Sequence, residues 1–427
     1  VQSPGAEGCI SEDGSEPCTE GDLLFGAFAV ALSRDGRNAY VALADGRGVA
    51  ALARDRATGA VAQLPPPTGC TTRTGDGQLC AMGRGLDAPL GLAITPDGEH
   101  VYVASFQSDP VSISAIALFA RDATTGALTQ LPGAQGCISE DIGGGVCTPG
   151  VGLRGTISVA VSPDGRHVYT AAKSDTVAAF VRDRETGFLT QLPEPLGCIS
   201  QSGSGGHCTQ GRALDGANSV AVSRDGRFVY VASELSRAVA VFARNRQTGA
   251  LTQLAGLAGC IAENGTDEQC TDGVGMGGPT ALILSPSGRN VYTVSPVSDQ
   301  LTVLSRNRRD GTLGRVQCLE NDGSVVCDPA FALRQPFSVA VSRDGRRVYV
   351  AARDSYAVAT FASDGQTGTL TQLASPEGCI SDDGTEGLCT QGRALRIPRS
   401  VTVSRDGKHV YVAAQGSAAV AVLTRKR

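Results

Sequence analysis

Ser400-Val-Thr-Val-Ser-Arg-Asp-Gly407, then His409-Val-Tyr-Val-Ala-Ala414 and Ala418-Ala-Val-Ala-Val-Leu423, is the stretch that decides the fold. These are strand-length runs rich in β-branched residues, separated by Asp-Gly turn chemistry. The string recurs along the chain, and in earlier copies a fourth run follows, as in Arg244-Asn-Arg-Gln-Thr-Gly-Ala-Leu-Thr-Gln-Leu254. No apolar period of about 3.6 residues appears, which excludes a helical solenoid. Tyr40, Tyr102, Tyr169, Tyr230, Tyr292, Tyr349 and Tyr411 share one place in the second run, where packing between units is the expected role. The glycine that ends each first turn, such as Gly165 or Gly407, marks a position where a positive φ is cheap. Four short antiparallel strands per repeat make a propeller blade, so residues 1–427 are expected to form a single all-β domain, a seven-bladed β-propeller.

Cysteine spacing counts the blades. The pairs are Cys9/Cys18, Cys70/Cys80, Cys137/Cys147, Cys198/Cys208, Cys260/Cys270, Cys318/Cys327 and Cys379/Cys389. Each brackets a Gly-, Asp- and Ser-rich turn, so pairing within each repeat is expected. Zinc is disfavoured because no Cys-x-x-Cys is present and the chain has four His. Seven bridges imply an oxidising compartment. First cysteines lie 61, 67, 61, 62, 58 and 61 residues apart. The long spacing is assigned to an insertion around Ser108 to Ser114, the short one to trimmed turns near Arg309.

The formal charge of −5 excludes a strongly basic nucleic-acid surface. No apolar run approaches the ~20 residues of a membrane-spanning helix. A start at Val1 without a basic-then-apolar leader leads to the expectation of a mature secreted protein, extracellular or at the cell surface.

The strings Ser-Arg-Asp-Gly-Arg with Val-Tyr-Val-Ala, and Arg-Asp-x-x-Thr-Gly-Ala-Leu-Thr, resemble the seven-bladed lactonase-like propellers and the broader YVTN-type repeats. The resemblance runs through nearly the whole chain and rests on framework turns and strands. It implies sugar-lactone hydrolysis or a muconate-cycloisomerase-like reaction at the central mouth. The cysteine hairpins are an addition to that pattern.

In such a propeller the first strand is innermost. One face carries the first-to-second and third-to-fourth turns, which repeat closely; the other carries the cysteine hairpins and varies, so interaction is expected there. Residues entering the inner strands of copies two to seven are Asp87, Arg154, Asp215, Gly277, Arg334 and Arg396. Three residues on come Leu90, Ile157, Asn218, Thr280, Phe337 and Arg399. The candidate ligand site at the channel mouth is therefore Asp87, Arg154, Asp215, Asn218, Arg334, Arg396 and Arg399. The guanidinium groups could grip an anionic or polyhydroxylated ligand, or simply be neutralised by Asp87 and Asp215.

The catalytic inventory is thin. His100, His167 and His409 occupy a repeat position filled elsewhere by Asn38, Phe228, Asn290 and Arg347, and His207 lies in a hairpin without an evident partner. Neither a Gly-x-Ser-x-Gly elbow nor metal-ligand spacing is found. The hairpins hold acidic clusters, namely Glu12, Asp13 and Glu16; Glu140 and Asp141; Asp267 and Glu268; Glu320 and Asp322; Asp382, Asp383 and Glu386. Solvated turns are the default reading, with calcium the alternative, so no cofactor is expected. Asn264-Gly-Thr266 is a glycosylation sequon.

Residues 1–18 match the end of a fourth strand plus its hairpin, while the chain stops after a third strand. Ring closure by the N-terminus is expected, leaving the last blade with an unpaired outer edge that could add a strand from a second copy or another protein. Taken together, the residues lead to the expectation of a secreted, non-catalytic binding or structural, self-assembling module whose partners are itself, another extracellular protein or a glycan. A lactonase-like hydrolase or cyclase at the central mouth is the alternative.

Overall fold

The computed structural model describes residues 1–14, 17–75, 78–106, 113–140, 146–265 and 269–425, with nothing said of the Glu386 side chain. Seven sheets follow one another around an axis. Their first strands, Ala27–Leu32, Pro89–Ile94, Thr156–Val161, Ala217–Val222, Ala281–Leu284, Pro336–Val341 and Pro398–Val403, contact one another in a closed inner ring. The second strand of each blade is almost wholly buried, because both of its faces pack on neighbouring sheets. That burial explains why its sequence is a near-continuous apolar run such as Val-Tyr-Val-Ala. Phe119, Phe180, Phe242 and Phe361 on the third strands fill the space between blades.

The blades differ from the expected four antiparallel strands in two ways. In most blades the third strand pairs first with a short Leu-Thr-Gln strand and then with a separate strand starting at the first cysteine, as Ala238–Arg244 does with Leu251–Gln253 and Cys260–Ala262. A fifth strand then runs parallel to the cysteine strand, as Ile261 opposite Thr271. Each sheet is therefore mixed.

The disulfides pair as expected: Cys9 with Cys18, Cys70 with Cys80, Cys137 with Cys147, Cys198 with Cys208, Cys260 with Cys270, Cys318 with Cys327 and Cys379 with Cys389, with Cα atoms 4.8 Å apart in every case. The placement of the second cysteines departs from a simple turn closure. Cys18, Cys80, Cys147, Cys208, Cys270, Cys327 and Cys389 each stand immediately before the parallel fifth strand, outermost in the blade. Each bridge thus ties the start of that two- or three-residue strand to its neighbour, which so few ladder bonds would hold weakly.

In the fifth blade the fourth strand is continuous from Leu313 to Asn321. The residues that elsewhere interrupt it are missing, and this shortens the spacing to 58; the turn near Arg309 keeps the geometry of its counterparts, with Gly311 N–H donating to Asn307. Residues 108–112 of the insertion proposed for the second blade lie outside the described residues, as do Glu16, Asp141, Asp267, Glu268 and Thr266 of the sequon.

Both chain ends build the last blade. Cys9–Ser11 pairs with Ala419–Thr424, Thr19–Glu20 lies parallel to it, and Gln2 bridges Leu423. Gln2 repeats the bonds of its counterparts: its side chain donates to Gly8 and Arg393 carbonyls and accepts from Arg393 N–H, as Gln253 does with Gly259 and Arg212. The expected unpaired outer edge is thus corrected, since the outer edge of this blade is paired as in the others. Among the described residues no Thr-Gly-Ala-Leu turn covers Tyr349, and a cavity of about 180 Å³ lined by Tyr349, Val410, Leu423 and Arg425 stands there.

Candidate functional site at the hairpin-face mouth

In every blade but the fifth, where the residue is Pro296, the first residue after the second strand donates its backbone N–H to the start of the inner strand, as Lys173 N–H to Gly155 and Glu234 N–H to Gly216. This position reads Ala44, Phe106, Lys173, Glu234, Pro296, Arg353 and Gln415. It does not figure in the sequence-based site, although its variability directly after a repetitive strand is a signal the sequence does carry. Together with the inner-strand residues it forms two charged arcs.

One arc spans the sixth, seventh and first blades. Arg399 is half-buried and lies over the rings of Phe337 and Phe28, 4.5 and 5.3 Å from their centroids. Its Nε donates to Gln415 Oε1 at 2.8 Å, and Gln415 Nε2 donates to Asp45 at 3.0 Å. Burial, reinforced by the neighbouring Arg353 charge, lowers the Arg399 pKa to about 10, so it stays a cation near neutral pH. Arg353 donates to Gln335 Oε1 at 2.9 Å and lies 3.5 Å from Asp354.

The second arc joins the third and fourth blades. Glu234 accepts from Asn218 Nδ2 at 2.9 Å and lies 3.4 Å from Lys173 Nζ. Asp175 accepts the Gly216 N–H at 2.7 Å and faces Asp215, whose pKa is raised by partial burial and by the Asp175 charge. The Asp175 charge beside it makes the Asp215 carboxyl hold its proton more tightly.

The sequence-derived residues are dispersed by comparison. Asn218 and Arg399 are half-buried on inner strands. Asp215 sits beside Asp175. Asp87 is buried, held by an ion pair to Arg73 and by the Ile113 N–H, so it does not face the channel. Arg154 is exposed, Arg334 is exposed and 3.9 Å from Asp322, and Arg396 lines a cleft of about 660 Å³ between the Cys9–Cys18 and Cys379–Cys389 hairpins. The residue three after each first cysteine explains Asp87 and several acidic groups at once. Glu12, Glu140, Gln201, Glu263, Asn321 and Asp382 accept the backbone N–H that opens the next inner strand. Where this position is Arg73, Asp87 pairs with it instead. His207 lies 2.9 Å from Glu194 in an exposed pair. Asn264, the sequon asparagine, adopts a positive φ of 56° in its hairpin turn.

The opposite face uses the same residue types for a different purpose. In every blade but the sixth, which has Ser363 there, an arginine at the end of the third strand stands at the junction with the preceding blade. Arg244 donates to both oxygens of Asp164 at 3.0 Å, to the Tyr169 hydroxyl at 2.9 Å and to His167 Nδ1 at 2.5 Å. Arg182 does the same with Asp97, Tyr102 and His100, and Arg54 with Tyr411 and His409. The tyrosine hydroxyls of these junctions in turn donate to a turn-glycine carbonyl of the next blade, Tyr169 to Gly249 at 2.7 Å, Tyr102 to Gly187 and Tyr411 to Gly59. Hydrogen bonds and the guanidinium hold Asp97 and Asp164 near 2 in spite of partial burial, whereas burial beside an arginine lowers the His100, His167 and His409 pKa values.

Asp97, Glu99 and His100 bring three ligand atoms within 4.8 Å, the one such group among the described residues that could hold a metal ion. Arg182 occupies Asp97 Oδ2 and His100 Nδ1. With its donor atoms already committed to a cation, this group does not fit a metal centre.

Residues 209–379 match the lactonase family of seven-bladed β-propellers. The stretch runs from just after Cys208 to Cys379 and includes Asp215, Asn218, Glu234 and Arg353. A periplasmic gluconolactonase from Pseudomonas aeruginosa is 23% identical, with a TM-score of 0.56 over 81% of this chain and 83% of that one. A protein from Bacteroides uniformis assigned as a 6-phosphogluconolactonase is 19% identical, with a TM-score of 0.58 over 89% of both chains. Hydrazine synthase from Kuenenia stuttgartiensis, 16% identical, aligns over 100% of this chain and 97% of its own with a TM-score of 0.55. At such identities the likeness is one of fold.

The expectation of a non-catalytic, self-assembling module is corrected by these findings. The lactonase-family match over residues 209–379 favours a catalytic propeller. The inventory looks thin in the sequence because the mouth is assembled from single residues of several blades, none of them in a local motif. Among the described residues no helix is long and apolar enough to cross a membrane.

Proposed function

We propose that this chain, as a single propeller domain, is an exported lactone hydrolase working at the hairpin-face mouth. The observation that carries the reading is the lactonase-family match over the blades that supply Asp215, Asn218, Glu234 and Arg353. The seven disulfides support export to an oxidising compartment.

Hydrolysis requires water to add to the lactone carbonyl carbon, a group to take its proton, and a cation to hold the oxyanion while the ring C–O bond breaks. Arg399, fixed by Gln415 and two aromatic rings, and Arg353 are suited to the oxyanion and to the hydroxy-acid product, which carries a new carboxylate. The Asp175–Asp215 pair suits proton transfer, because a carboxyl with a raised pKa is a stronger base and can return the proton to the departing ring oxygen. Glu234, Asn218 and Lys173 offer hydrogen bonds to sugar hydroxyls.

The test is acid release from glucono-δ-lactone and a panel of five- and six-membered lactones in a pH-stat, above the uncatalysed rate. Turnover that falls about a hundredfold or more in Asp215→Asn, with unchanged melting, is the expected result. Folded protein that accelerates no lactone would refute the reading.

A further inference from the structure

The other end of the channel carries a second charged feature. The residue after the serine or threonine of each first turn is Arg34, Pro96, Pro163, Arg224, Pro286, Arg343 and Arg405 from blade one to blade seven. Proline is the ready-made residue for this turn position, since its fixed φ matches the second residue of the turn. Three blades use it and four replace it with arginine, even though the turns remain the same: Gly36, Gly226, Gly345 and Gly407 N–H donate to the serine carbonyl as Gly98 and Gly165 do to Thr95 and Ser162.

The four arginines line one cavity of about 440 Å³ with Pro286 and the ends of three inner strands. Their charge is not balanced locally. The aspartate next to each arginine bonds within its own turn and, in three cases, turns away to a framework arginine: Asp35 to Arg121 at 2.8 Å, Asp225 to Arg306 at 3.1 Å and Asp344 to Arg425 at 3.1 Å. Asp406 binds Ser404 and the Lys408 N–H. Arg34 and Arg405 give one bond each to a backbone carbonyl, of Pro96 and Arg34, and among the described residues none of the four forms an ion pair. Guanidinium groups collected in a concave mouth repel one another and focus a positive potential into it.

We infer that this turn-face mouth is an anion site for a compact multivalent oxyanion of the diphosphate class, held by Arg34, Arg224, Arg343 and Arg405. It lies at the opposite end of the channel from the proposed hydrolytic mouth and is independent of it. Planar guanidinium groups with unused donors match tetrahedral oxyanions by paired hydrogen bonds, and the cavity admits a small ligand.

Titration calorimetry with inorganic pyrophosphate at low salt tests the site. Wild-type protein is expected to bind one equivalent, with affinity falling as salt is raised. Arg224→Ala with Arg343→Ala should weaken binding about tenfold or more. Arg224→Pro with Arg343→Pro keeps the turn found in Pro163 and Pro286 and should weaken it equally, with melting unchanged. Arg399→Ala at the far mouth should leave it as it is. Absence of binding to the wild type, equal binding by both double variants and the wild type, or loss of binding in Arg399→Ala would each overturn the assignment.

Discussion

The two faces of this propeller draw on one set of side chains and put them to opposite uses. On the turn face, Arg244, Asp164, His167 and Tyr169 satisfy one another across a blade junction, and the arrangement recurs around the ring. At the hairpin-face mouth, Arg399, Arg353, Lys173, Glu234, Asp175 and Asp215 come from several blades; Lys173, Glu234 and Arg353 share one repeat position, yet neither their identities nor their side-chain bonds repeat. An ionisable residue whose bonds recur from blade to blade holds blades together. One whose position recurs while its identity changes is available for a ligand.

The sharpest way to break the comparison is to remove a framework arginine. Arg244→Ala leaves Asp164, His167 and the Tyr169 hydroxyl without their shared partner, and a loss of about 3 to 5 kcal/mol in denaturant unfolding is expected. Arg399→Ala, on the other face, should cost far less stability. Replacing Cys198 and Cys208 by serine opens one hairpin and should cost about 2 to 3 kcal/mol, with the other six bridges intact, measured in the same way.

Acid separates the faces by titration. The His100, His167 and His409 pKa values are lowered on folding, so the unfolded chain takes up protons first and stability falls as pH drops through 6.5. Asp97 and Asp164, near 2 when folded against 3.8 in a free chain, contribute stability that is full above pH 4 and is lost between about 4 and 2. Two successive drops in melting temperature are expected; a flat profile from pH 7 to 3 would contradict the framework.

The smallest effect is a gain. At the junction of blades five and six both partners are serine, Ser287 for the aspartate and Ser363 for the arginine, and Ser363 Oγ lies 3.0 Å from the Tyr292 hydroxyl. Installing Ser287→Asp with Ser363→Arg should add about 1 kcal/mol, more than the two single changes together in a double-mutant cycle.

Blade count, disulfide pairing and the closure of the ring are legible because each is written several times: Asp-Gly turns, paired cysteines and Val-Tyr-Val-Ala strands repeat, and packing follows them directly. The parallel fifth strand is not, because the two residues after Cys80, Cys147 or Cys389 are too few to show any alternation. The site is legible only in part. Asn218 and Arg399 can be found because they sit on the inner strand, whose geometry is simple. For Lys173, Glu234, Arg353 and Gln415 the sequence carries only their blade-to-blade variability, because their placement depends on a backbone bond to a neighbouring strand. Asp87 is misplaced by the repeat alone because Arg73, which holds it, lies in a hairpin of the preceding blade. The incomplete copy at the seam suggests an unpaired edge, but residues 1–11 supply the pairing that the last blade requires.

Catalysis at the irregular mouth is the central claim, and Arg399→Ala tests it most directly. Initial rates of glucono-δ-lactone hydrolysis should fall about a hundredfold or more while melting temperature stays near that of the parent protein. Equal rates for the two folded proteins, or no rate above background in either, would contradict it.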